Sequence, residues 1–223
     1  MSGIINIILH KNSNIGFNGN INLGLNFEKN ARFNSAIDFN YRAGKINVYG
    51  NYGNNINKRL NGGYVQREDE NSRQNFSFLD YNKSHLFKVG LDYFINDKNT
   101  VSVYTNQNLF DGITNGTTDI VLLNNPQGNL TQFLVSDSEN MGNTYNFDFK
   151  HDFKKEGHNI ELEVDYNVFE SDSDDGFSFI NGTLPNYTDI INNERKNTTI
   201  NLDYVNPLSE KTKLELGYET RLR

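Results

Sequence analysis

The chain has no cysteine and no tryptophan, and only three prolines among its 223 residues. Without cysteine there is neither a disulfide nor a thiolate-bound metal. Pro126 and Pro185 fall in polar segments and Pro207 beside an expected turn, so no strand core is interrupted. Long apolar runs are also missing. The greasiest stretch, Ile4–Leu9, is broken by Asn6, well short of the roughly 18 apolar residues a transmembrane helix needs. No basic stripe accompanies the net charge of -7 and pI of about 5.1, which argues against nucleic acid as a partner. The first residues, MSGIINIILHK, lack the basic start, long apolar stretch and cleavage site of a signal peptide. An exported protein with this sequence is therefore expected to be a piece of a longer one.

What the chain does have is alternation. From Ile160 to Val168, Ile160, Leu162, Val164, Tyr166 and Val168 take every second place, and Glu161, Glu163, Asp165 and Asn167 stand between them. Successive strand residues point to opposite faces, so this is a strand with one apolar and one polar side. On a helix the same carboxylates would scatter around the circumference. The pattern recurs in segments starting near Ile15, Phe33, Ile46, Leu79, Val101, Tyr145, Ile200 and Leu214. With a short strand at Gly3–Lys11 in front, the reading is an all-β meander of about nine long strands. A mean hydropathy of -0.69 does not separate a soluble sheet from a membrane barrel, because only alternate barrel residues face lipid.

The connections decide between the two. The alternation lapses over about 55–75, 111–142 and 171–197, read here as long loops. Between them lie the tight links RAGK (42–45), NDKN (96–99), KKEGH (154–158) and PLSEKT (207–212). Every second connection of an up-and-down meander lies at one end, so the long loops gather at one end and the tight turns at the other. Outer-membrane barrels have this asymmetry, and a soluble sandwich has no reason for it. The short EKNAR link at 28–32 departs from it. Tyr41, Tyr93, Phe94, Phe153 and Tyr204 lie at the tight-turn ends, where an interfacial girdle is expected. The fold class expected is therefore an antiparallel up-and-down transmembrane β-barrel, with outer-membrane lipid against its apolar face.

In that arrangement Asp148, Lys150, Glu161, Glu163, Asp165, Asp203, Glu215 and Glu219 face the lumen as wall charges. Tyr64, Phe133, Phe177, Phe179 and Tyr187 are aromatics stranded in polar segments, and mark candidate ligand contacts. Ser171–Gly176 carries Asp172, Asp174 and Asp175 like part of a calcium loop. The Glu required six residues after the glycine is replaced by Gly182, so the match fails. His10, His85, His151 and His158 show no metal-ligand spacing. There is no nucleophile elbow and no phosphate loop, and the paired carboxylates lie on regular strand faces. The expectation is a protein that is not an enzyme, with no metal and no cofactor.

GIINIILHK at 3–11, followed by Gly16-Phe17-Asn18-Gly19 and alternating strands, resembles the junction of plug and barrel in TonB-dependent outer-membrane receptors, where a segment of the form GIINIITKK ends the plug. The Asn-rich, cysteine-free strands look most like the outer-membrane β-barrel proteins of Bacteroidetes-type bacteria. The resemblance implies that residues 1–13 end a plug domain and 14–223 begin a 22-stranded barrel. It also implies nutrient uptake (a siderophore, oligosaccharide or peptide) driven by the TonB complex through the missing N-terminal region, with a surface lipoprotein as a further partner. Two other classes stay open on the residues: a secreted or surface-anchored β-protein with adhesive loops, and a passive channel of the porin type.

Overall fold

The computed structural model describes residues 16–27, 30–209 and 211–223. The segment 1–13, expected to end a plug, lies outside the described residues. Nine antiparallel strands form one sheet in strict chain order: β1 (Gly16–Phe27), β2 (Ala31–Ala43), β3 (Ile46–Arg67), β4 (Ser72–Asn96), β5 (Asn99–Leu122), β6 (Leu130–Asp152), β7 (Asn159–Ile180), β8 (Tyr187–Ser209) and β9 (Thr212–Leu222). The all-β up-and-down expectation holds.

The register explains why the alternation is in phase from strand to strand. Residues directly opposite in an antiparallel pair share a face. One cross-strand row runs through all nine strands: Phe17, Tyr41, Val48, Leu91, Val103, Phe147, Val164, Ile200 and Thr220. The adjacent row holds Ile46, Tyr93, Val101, Phe149, Leu162, Leu202 and Tyr218. A slip of one residue in any pair would move that strand's apolar set to the other face. The opposite face carries the Asn, Asp and Glu positions.

Among the described residues nothing covers the apolar face. Among the described residues no hydrophobic side chain is buried, and Leu23, Ile21 and Phe17 are more than 70% exposed. A soluble domain of this size buries such a face against a second layer. A single layer with a continuous apolar face needs an apolar solvent instead.

The long loops expected at 55–75, 111–142 and 171–197 are not loops. β3 and β4 run on in register from Asn55–Ser84 to Arg67–Ser72, leaving only 68–71 as the turn. β5 and β6 pair from Asn99–His151 up to Ile120–Leu130, and β7 and β8 up to Phe177–Tyr187. The remaining connections are 123–129, which includes a one-turn 3-10 helix at Pro126–Gly128, and 181–186. The asymmetry read from the sequence survives as strand length. The 22 residues of β7 extend about 70 Å at about 3.3 Å each, or about 50 Å along the normal at a 45° tilt, twice the apolar band of about 25 Å. Most positions on both faces of this surplus are polar, so the regular alternation lapses there although the strand continues.

Two close fits fix the sheet locally. A Cβ on Gly90 would lie 2.3 Å from the Tyr49 ring of the neighbouring strand, so the glycine is the recess into which that ring lies. At the β6–β7 turn Gly157 adopts φ +74°, a left-handed conformation that glycine accepts without steric cost.

Candidate functional site

The polar face opposite the apolar band holds the candidate site. All eight charges expected in the lumen lie on this one face. Lys150, Glu161 and Asp203 form one cross-strand row, and Asp148, Glu163, Asn201 and Glu219 form the next. Asp165 stands one step further from the tight turns, opposite Asn146 and Thr199. Glu215 lies on the same face of β9, by parity with Glu219.

These charges differ in how they are held. Lys150 Nζ lies 3.1 Å from Glu161 Oε2, Arg221 Nε 2.7 Å from Glu219 Oε1, and Lys213 pairs with Glu215. Glu163 and Asp165 are served by neutral amides instead. Asn146 Nδ2 donates to Asp165 Oδ1 at 2.9 Å and Glu163 Oε1 at 3.3 Å, and Asn201 Nδ2 to Glu163 Oε2 at 3.4 Å. Asn146 is only 7% exposed. Asn47 Nδ2 donates likewise to Asp92 Oδ2 at 3.0 Å on the same face. Amide donors hold a carboxylate in place without cancelling its charge. The wall over β6–β8 is therefore rigid and negative. It is built for attraction along a surface; among the described residues no group of three or more His, Asp or Glu side chains could hold a metal ion.

The five aromatics expected in loops all stand on strand extensions, and they divide between the two faces. Phe177, Phe179 and Tyr187 share the polar face at the far end of β7 and β8. The Phe177 and Tyr187 rings stack at 4.7 Å and 21°, and Phe179 lies 6.0 Å from Tyr187. Tyr64 and Phe133 belong to the opposite face. Arg73 Cζ lies 4.2 Å over the Tyr64 ring, and Phe133 pairs with Ser178. Asp172, Asp174 and Asp175, expected in a loop, are strand residues of β7, with Asp172 and Asp174 on the face of the apolar band and Asp175 on the polar face.

The girdle at the tight-turn ends is present for Tyr41, Tyr93, Phe153 and Tyr204. His158 stacks on Phe153 at 4.0 Å and shares a 3.0 Å hydrogen bond with the Tyr204 hydroxyl. Phe94 departs from it: it lies on the polar face beneath the Arg42 guanidinium, 4.4 Å from the ring centroid. Parity with Tyr93 was the signal that separates the two. A second aromatic level on the apolar face went unremarked in the sequence. Tyr145 and Tyr166 stack at 6.3 Å, and Tyr52 hydrogen-bonds His85 at 2.8 Å. The two levels bracket the apolar band as interfacial aromatics do.

Comparison with known proteins agrees with this geometry. The profile of the Outer membrane protein beta-barrel family matches residues 151–223. No curated protein matches the chain. Among solved structures the fold is similar to the ferric yersiniabactin uptake receptor FyuA from Yersinia pestis, with a TM-score of 0.53 at 9% identity over 84% of this chain. It is also similar to the ferric citrate transporter FecA in its unliganded form, with a TM-score of 0.51 at 12% identity over 85% of this chain. The chain spans about a quarter of each, 27% of their length. The matched family and the two folds support a multi-strand barrel wall of the outer-membrane type.

Proposed function

We propose that this chain is part of the wall of a TonB-dependent receptor in an outer membrane of the Bacteroidetes type, which captures a scarce nutrient at its outward end and passes it along a polar lumen. One observation carries the reading. The register builds an uninterrupted apolar band on one face of nine strands and places every one of the eight expected wall charges on the other. In this reading the apolar face meets lipid, and Asp148, Lys150, Glu161, Glu163, Asp165, Asp203, Glu215 and Glu219 line the lumen. The strand extensions stand outside the cell. Residues 1–13 end a plug domain and 14–223 begin the barrel. The TonB complex acts through the region in front of residue 1, and a surface lipoprotein hands over the ligand. The cargo is a siderophore, an oligosaccharide or a peptide, met first by Phe177, Phe179 and Tyr187 on the lumen side. In this reading Tyr64 and Phe133, on the opposite face of the extensions, are candidate cargo contacts on the outer surface.

Energy coupling distinguishes this function from a passive channel built on the same wall. Uptake of the cargo by cells carrying the intact protein should collapse when an uncoupler removes the proton motive force. Uptake indifferent to the uncoupler would replace the receptor by a porin.

A further inference from the structure

The stacked rings of Phe177 and Tyr187 are one end of a longer feature. The register continues their row across the sheet as Tyr187, Phe177, Leu134, Gly116 and Phe78. Gly116 leaves no gap in it, because the Phe78 ring lies 2.6 Å from where a Cβ of Gly116 would stand. Phe179 and Phe76 occupy the next row outward, and Phe76 lies 5.8 Å from Phe78. An apolar shelf thus crosses five strands on the face that carries the amides and carboxylates. No membrane demands it, since it lies on the face opposite the lipid band and far beyond that band. Tyr187 remains 47% exposed, so the stack it makes with Phe177 is open to solvent.

The row one step towards the tight turns is Asp189, Asp175, Ser136, Thr114 and Asp80. Asp175 and Asp189 stand side by side beneath Phe177 and Tyr187. Asp175 accepts from Ser173 Oγ at 2.8 Å, and Asp80 from Asn61 Nδ2 at 2.7 Å and Thr114 Oγ1 at 2.9 Å. All three donors are neutral. The base of this row, Arg59, lies opposite Asp80 on β3, four strands from Asp175.

We propose that the shelf and the carboxylates beneath it form a subsite for a planar, positively charged ring, which lies against the Phe177–Tyr187 stack and whose cationic group points to Asp175 and Asp189. Stacking takes any flat ring, but cation attraction to ring faces and the adjoining carboxylates together reject an anionic one. The inference uses the receptor reading only to place the shelf outside the cell.

Equilibrium binding of two dyes to the intact protein in non-ionic detergent, read by fluorescence anisotropy at low salt, tests this. Rhodamine 6G is a planar cation and fluorescein a planar anion. Rhodamine 6G should bind at least about tenfold more tightly. The pair Phe177→Leu with Tyr187→Leu should weaken rhodamine 6G about tenfold. The pair Asp175→Asn with Asp189→Asn, which keeps the shelf, should weaken rhodamine 6G and strengthen fluorescein. Val135→Ala, on the other face beside Leu134, should change neither, and heat-modifiable mobility identifies the variants that fold. Equal affinity for the two dyes, no binding of rhodamine 6G, or an affinity unmoved by either pair overturns the proposal. Binding needs no energy source, so its failure leaves the receptor reading standing, and uncoupler-resistant uptake leaves the subsite standing.

Discussion

Leu162 and Glu163 are neighbours in the chain and stand on opposite faces of the sheet, which in the proposed reading meet lipid and lumen. Leu162→Arg sets a charge within the lipid band and should cost about 2–4 kcal/mol. Glu163→Arg adds a charge to a polar wall and should fold nearly as the parent does. Heat-modifiable gel mobility in outer-membrane fractions separates them, and equal tolerance would contradict the assignment of faces. Asn146 offers a second test. Asn146→Leu removes the donor shared by Glu163 and Asp165 and should destabilise the fold by about 1–3 kcal/mol, measured as a lower urea midpoint in detergent. At this scale the sequence was highly legible. Parity alone put the eight charges on one face of the sheet, because a one-residue slip would move a strand's whole set to the other face. Phe94 was misjudged where nearness to a turn was weighed instead of parity, although Tyr93 beside it sets its side.

At the scale of the element, alternation and strandedness are different properties. Segments 55–67, 111–122, 130–142, 171–180 and 187–197 are paired strands without an apolar period. They stand above the lipid band with water on both sides, so no solvent contrast selects for alternation. What keeps them extended is the hydrogen-bonded ladder and residues such as Thr114, Thr117, Ile120 and Val121 that favour it. That signal is weak in a single sequence, whereas the pairing that settles it joins residues far apart in the chain. One consequence can be measured. Excising 172–192 and joining Ser171 to Asn193, a cross-strand pair, through an Asn-Gly turn should leave the band and its insertion intact. The shortened protein should run with normal heat-modifiable mobility and have lost its affinity for rhodamine 6G. Failure to insert would mean that the extension is needed to form the band below it.

At the scale of the molecule the sheet has two edges. β1 pairs only with β2, and β9 only with β8, among the described residues. Free backbone donors and acceptors along such an edge each cost several kcal/mol in hydrocarbon. The edges must therefore be covered, by further strands of one polypeptide or by another copy. Residues 16–223 refolded by themselves into detergent should form multimers or aggregates by sedimentation, and a stable monomer would contradict this account. Here the sequence was least informative. The register of neighbouring strands follows from local parity, whereas closure depends on what lies beyond both edges.

In the proposed receptor, the continuity of the extensions changes what recognition at the cell surface requires. A mobile loop loses conformational freedom when it closes on a ligand, and part of the contact energy is spent on that ordering. A ladder hydrogen-bonded to within a few residues of its tip has already lost it. Capture on such a surface should be fast, change the structure little, and select by shape and charge at first encounter instead of by slow closure.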